Sequence, residues 1–142
     1  MKKHKKMIIP IIFVMIFIIV MLSGCIYREG FPVDTWDPRV KYQYTHVHLL
    51  GEVGVPFCKA RNHLFVYDTE SHEDWEEYQY SRSGSANPDD HLFATSLYFY
   101  EVQYKVTYYV RGVAYCYDFK YPFKDYEEGY YQGEEVTFYI DL

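Results

Sequence analysis

The chain predicts an all-β domain, an antiparallel β-sandwich or small barrel of about seven strands, placed behind an N-terminal signal helix. Three observations carry this expectation. Apolar and aromatic residues alternate with polar ones beyond residue 38, most plainly at Tyr98, Tyr100, Val102, Tyr104, Val106, Tyr108 and Val110. A period of two is the mark of a strand with one buried face. Turn-forming Gly, Pro, Asn, Asp and Ser interrupt these rows, with no internal repeat and no alternation of strand with helix. The chain also carries 18 tyrosines, whose apolar ring and wet hydroxyl suit a half-buried sheet. A single sheet of this size would leave one face bare, so two layers are expected.

The first element is residues 1–24. MKKHKK holds four lysines and no acid, and an uncharged apolar run follows from Ile8 to Leu22. A basic start, a short apolar run and a small-residue exit describe an export signal. The run is short of the roughly 20 residues that a permanent span needs. Pro10 also suits a transient signal better than a long helix. The exit reads Leu22-Ser23-Gly24-Cys25, which resembles the lipobox of bacterial lipoproteins. That resemblance implies cleavage between Gly24 and Cys25 and fatty acylation of the Cys25 sulfur. It implies a domain held to a membrane by lipid and facing the extracytoplasmic side. Retention of residues 1–24 as a signal-anchor helix is the alternative. It leaves the domain on the same side, because the lysine-rich end stays in the cytoplasm.

Residues 25–38 read as a tether, with two prolines, a glycine and no clean period, leaving residues 39–142 as one β-domain. RVKYQYTHVHLL places Val40, Tyr42, Tyr44, His46 and His48 on one face. EVGVPFCKA and NHLFVYDT are two short candidate strands. ESHEDWEEYQYS alone has any helical colour, and RSGSANPDD reads as a loop. The row from Tyr98 to Val110 is the clearest strand. Arg111-Gly112 can turn it, and Val113, Tyr115, Tyr117, Phe119 and Tyr121 form the returning row. Val136, Phe138 and Ile140 make the inner row of a last strand.

YVRGVAYCYDF and YYQGEEVTFYID also resemble small membrane-associated β-domains of unknown function, through Val110, Gly112 and Tyr115 and then Gly133, Val136, Tyr139 and Asp141. The resemblance supports the fold and implies no activity.

Charge narrows the function. The chain has 20 acidic and 14 basic residues. Loss of residues 1–24 removes four lysines and deepens the negative charge. Such a domain avoids nucleic acid and suits a basic protein or peptide as partner. With Cys25 acylated, Cys58 and Cys116 remain as a possible disulfide in an oxidising compartment. Their separation resembles the inter-sheet bridge of immunoglobulin-like domains, with Trp75 in the place of the core tryptophan. His46 and His48 are the best metal candidates, since strand residues two apart share a face and can meet one Zn²⁺ or copper ion. No spacing specifies a third ligand among His63, His72, His91 or the acids. Glu70, Glu73, Asp74, Glu76 and Glu77 form an acidic run around Trp75, without the pattern of a Ca²⁺ loop. Nucleophile motifs and phosphate-binding loops are absent from the sequence.

The reading is therefore a non-catalytic, lipid-anchored binding or envelope-associated module that needs no cofactor. A metal-binding protein or enzyme built on His46 and His48 is the alternative, and a structural subunit of a membrane complex is another.

Overall fold

The computed structural model describes residues 11–18, 32–54, 57–87 and 91–142. Residues 11–18 are helical and exposed. Among the described residues no helix is long and apolar enough to cross a membrane. Gly24 and Cys25 lie outside the described residues.

Ten strands form two antiparallel sheets, rather than the seven strands expected. They are β1 (Val33–Thr35), β2 (Arg39–Lys41), β3 (His46–Val53), β4 (Lys59–Asp68), β5 (Tyr80–Ser83), β6 (Ser85–Ala86), β7 (Leu92–Tyr98), β8 (Thr107–Tyr117), β9 (Gly129–Gln132) and β10 (Val136–Tyr139). In sheet A, β1 and β2 flank one side of β3, and β7 then β6 follow on the other. In sheet B, β9 and β10 flank one side of β8, and β4 then β5 follow. This is the strand order of immunoglobulin-type sandwiches. The count exceeds expectation because three lanes are broken. β1 and β2 share one side of β3, β9 and β10 share one side of β8, and β5 passes into β6 across Gly84 while changing sheet.

The core lies between the sheets. Val33, Val47, Leu49 and Leu97 from sheet A meet Phe65, Val110, Ala114, Phe138 and Ile140 from the other side. The expected inner row of the last strand is thus in place. Val33 is fully buried and pairs with Val53, so residues 33–35 belong to the domain and not to a tether. Trp36, just beyond, is exposed.

Three other expectations are corrected. The row Val40 to His48 is a hairpin, not one strand: a 3₁₀ turn at Tyr42–Tyr44 and left-handed Thr45 reverse the chain. Val40 pairs with Val47, and His46 and His48 lie on the opposite, outer face. The two candidate strands around Lys59 are instead the end of β3 and the single strand β4, with a bulge between Arg61 and Leu64. Asn62 takes a positive φ there.

The third correction concerns residues 98–117. The strand β7 ends at Tyr98, a 3₁₀ turn follows at Phe99–Glu101, and β8 runs unbroken through Arg111-Gly112. Gly112 is therefore no turn. A Cβ on it would lie 3.0 Å from Cζ of Phe93, and its N–H donates to Oγ1 of Thr35 at 2.9 Å. The missing side chain lets a core ring and β1 approach sheet B closely. As a result the row holding Cys116 points inward, while Tyr115 and Tyr117 point outward.

Candidate binding site

The outer face of sheet B is where the fold builds a surface. After β4, residues 69–79 fold back over this face, and Tyr78 packs with Val66 and Val113 in a second, smaller apolar cluster. Leu64, Trp75 and Tyr109 border it. The segment carries little hydrophobic area of its own, so polar bonds hold it down.

Arg111 is the centre of that attachment. It projects from β8 and donates to the Tyr78 hydroxyl (3.1 Å) and to the carbonyls of Gly133 (3.0 Å) and His72 (3.0 Å). The Tyr78 hydroxyl in turn donates to Glu135, which also accepts from Ser71 and from the His72 amide. Burial, and the bond to Glu135, push the Tyr78 phenol up to about 12. Burial acts to raise Glu135, but hydrogen bonds from Ser71, Tyr78 and His72, and the Arg111 charge, hold its carboxyl below the ordinary value. Asp68 repeats the pattern at the start of the segment. Burial pushes it up, and His72 together with the Gln79 and Thr69 amides outweighs that push. Satisfied polar networks of this kind fix one geometry.

That geometry presents Trp75. It opens a 3₁₀ turn at Trp75–Glu77 capped by Asp74, whose carboxylate accepts from the Glu76 amide. Gln132 on β9 clamps the turn from the side. Its oxygen accepts from the Trp75 amide, and its nitrogen donates to the Glu73 carbonyl, both at 2.7 Å. The Trp75 ring then lies 5.2 Å from Tyr130, which meets Tyr115 edge-on at 5.3 Å. Arg61 closes the row over Tyr115 and Tyr117, at 4.7 and 5.4 Å. Glu73, Asp74, Trp75, Glu76, Tyr130, Tyr131 and Gln132 line an open groove of about 670 Å³. Aromatic walls and three carboxylates in a fixed cleft can bind a cation or a basic side chain.

The acidic run and Trp75 were legible in the sequence, although Trp75 lies on the surface and not in the core. Tyr130 and Gln132 were not, because more than 50 residues separate them from Trp75. Their alternation on β9 was the available signal.

The other predicted residues fall elsewhere. His46 and His48 lie side by side on the outer face of sheet A, with ring centroids 6.4 Å apart. Opposite them across the hairpin stand Lys41 and Arg39. Burial lowers the His48 imidazole, and the charges of His46, Lys41 and Arg39 lower it further. Among the described residues no group of three His, Cys, Asp or Glu side chains could hold a metal ion. His72 is tied to Asp68 at 2.9 Å. His63 and His91 share a different pocket with Lys59, Ala86 and Tyr117.

The expected Cys58–Cys116 disulfide is not formed. Both are free, buried thiols, 4.3 Å apart. They do not bridge the sheets either, since Cys116 pairs with Ala60 on β4 and Cys58 lies just before β4, diagonal to Cys116. Diagonal neighbours stand farther apart than directly opposed residues. The Cys58 thiol donates to the Gly54 carbonyl at 3.5 Å and the Cys116 thiol to the Ala114 carbonyl at 3.8 Å, while the proximity of the two lowers Cys58 against the upward push of burial and, with burial, raises Cys116.

No protein-family model matches this chain, and no curated protein and no solved structure matches it.

Proposed function

We propose that the chain is a non-catalytic, lipid-anchored domain on the extracytoplasmic side of a membrane, whose groove at Trp75 and Tyr130 takes a basic segment of a partner protein. The observation that carries this reading is the groove itself. Glu73, Asp74 and Glu76 surround an indole that is clamped through Gln132. A Lys or Arg side chain entering it gains both a cation–π contact and charge pairing. The lipobox-like Leu22-Ser23-Gly24-Cys25 supports the anchor, with acylation at Cys25.

Binding is tested with an oligoarginine peptide and the full chain in non-ionic detergent. The chain has two tryptophans, so a Trp36→Phe background leaves Trp75 as the sole indole reporter. The expected result is a saturable change in Trp75 fluorescence, weakened by salt and reduced about tenfold in Glu73→Gln/Glu76→Gln, roughly 1.4 kcal/mol. No change, or an equal response to oligoglutamate, refutes it. The anchor is tested separately by fatty-acid labelling of cells, which is expected to mark the wild type and not Cys25→Ala.

A further inference from the structure

We propose that the outer face of sheet A, opposite the groove, binds a phosphate-bearing anion between two cross-strand pairs, Arg39 with His48 and Lys41 with His46. In a chain with 20 acidic residues, this patch concentrates four basic side chains. The register places them. Arg39 lies opposite His48, and Lys41 opposite His46, while Val40 and Val47 between them face the core. Directly opposed residues share a face and bring their Cβ atoms within about 5.5 Å. The two pairs are two residues apart along the strand, or roughly 6.6 Å. On the far side of β3, His48 faces Ser96 and His46 faces Tyr98, so the neighbouring strand offers hydroxyls and no carboxylate.

Arg39 and Lys41 are exposed and form no ion pair among the described residues. Of the carboxylates around the patch, Glu101 is paired with a cation of its own. Asp34 and Glu52 oppose each other at the far end of β3. Glu101, on the 3₁₀ turn after β7, takes the Tyr98 amide and Arg82. The Asp141 amide donates to the Tyr42 hydroxyl at 3.2 Å, and Asp37 lies in the link between β1 and β2. The charges acting on His48 are all cationic: His46, Lys41 and Arg39. Tyr44 and Tyr98 flank His46 with ring centroids near 6 Å, at 6.1 and 6.2 Å, and enclose the patch on one side.

Such a cluster carries its own repulsion, and an oxyanion placed between the pairs reverses its sign. Arg39 supplies a fork of N–H donors, Lys41 a point charge, and each imidazole a further donor once protonated. Binding therefore raises both imidazole midpoints, and the anion binds more tightly as the pH falls below the usual histidine range near 6.5. Each unit by which one midpoint rises corresponds to about tenfold tighter binding to the protonated form.

The experiment follows the imidazole Cε1–H signals of the full chain in non-ionic detergent by NMR, across pH, with and without pyrophosphate. The His46 and His48 midpoints are expected to rise by about one unit, while those of His63, His72 and His91 stay in place. In Arg39→Ala/Lys41→Ala the pyrophosphate response disappears. The His48 midpoint of the unbound variant moves up, because two repelling charges are gone. Repeating the titration with phosphatidylglycerol mixed into the micelles, in place of pyrophosphate, separates a lipid phosphate from a soluble one. A response to either probe at His46 and His48 alone supports the site. Unmoved midpoints with both probes, or a response that survives the double substitution, overturns it.

Discussion

Gly133 is the position at which the packing of β1 against sheet B can be tested most sharply. A Cβ there would lie 2.2 Å from Oγ1 of Thr35, 2.7 Å from its backbone nitrogen and 3.0 Å from the carbonyl carbon of Asp34. Favourable carbon contacts begin near about 3.5 Å, so β1 itself has to move by roughly an ångström. The hydroxyl has little freedom to move aside, because it accepts the Gly112 N–H at 2.9 Å. The Gly133 amide in turn donates to the Gly112 carbonyl at 2.8 Å, which fixes the position from the other side. Overpacking of this kind costs about 1–3 kcal/mol, and a clash with backbone belongs at the upper end. Gly133→Ala should therefore lose about 3 kcal/mol, a fall in Tm of roughly 10 °C for a domain of this size. Gly129→Ala is the control, since nothing lies within 4 Å of its Cβ. It should stay within about 0.5 kcal/mol of wild type. Thermal and urea melts of the full chain in detergent, followed by circular dichroism, read both. Equal stability of the two variants would refute the seating of β1 over Gly133.

Three further outcomes follow from the same contacts. Tyr78→Phe removes a hydroxyl shared by Arg111, Glu135 and the His72 carbonyl. It should cost about 1–3 kcal/mol and speed hydrogen exchange in residues 69–79, with β3 and β7 unchanged. Asp68 and Glu135 are both held below their ordinary values of 3.8 and 4.5. Their contribution is thus complete above about pH 4.5 and is lost as pH falls through the depressed native values. An acid titration of the Trp36→Phe chain should release the 69–79 segment before the rest of the domain, seen as a change in Trp75 fluorescence ahead of the loss of β-sheet circular dichroism, and a coincident change of the two signals would contradict this. Cys58 and Cys116 are buried, so a water-soluble thiol reagent should modify both in denaturant and neither at an appreciable rate in the native chain.

Much of the fold was legible because alternation is a local property. The inner row Val136, Phe138 and Ile140 was readable at once, and so were two layers of antiparallel strands. The acidic run around Trp75 was also visible, as a patch without a partner. Tyrosine limited the rest, since it suits either face of a sheet. In β8, Tyr108 is buried while Tyr109, Tyr115 and Tyr117 are not, and no local rule separates them. Taken alone, Arg111-Gly112 resembles a turn. Phe93 and Thr35, distant in sequence, fill the space above Gly112 and keep the strand straight, so Cys116 points inward. Tertiary contact likewise seated Gln132 against Trp75 and Arg39 against His48. The sequence by itself determined the class of the fold. The tertiary structure decided which face of each strand is buried and which distant side chains meet, because both depend on packing between strands that no local pattern encodes.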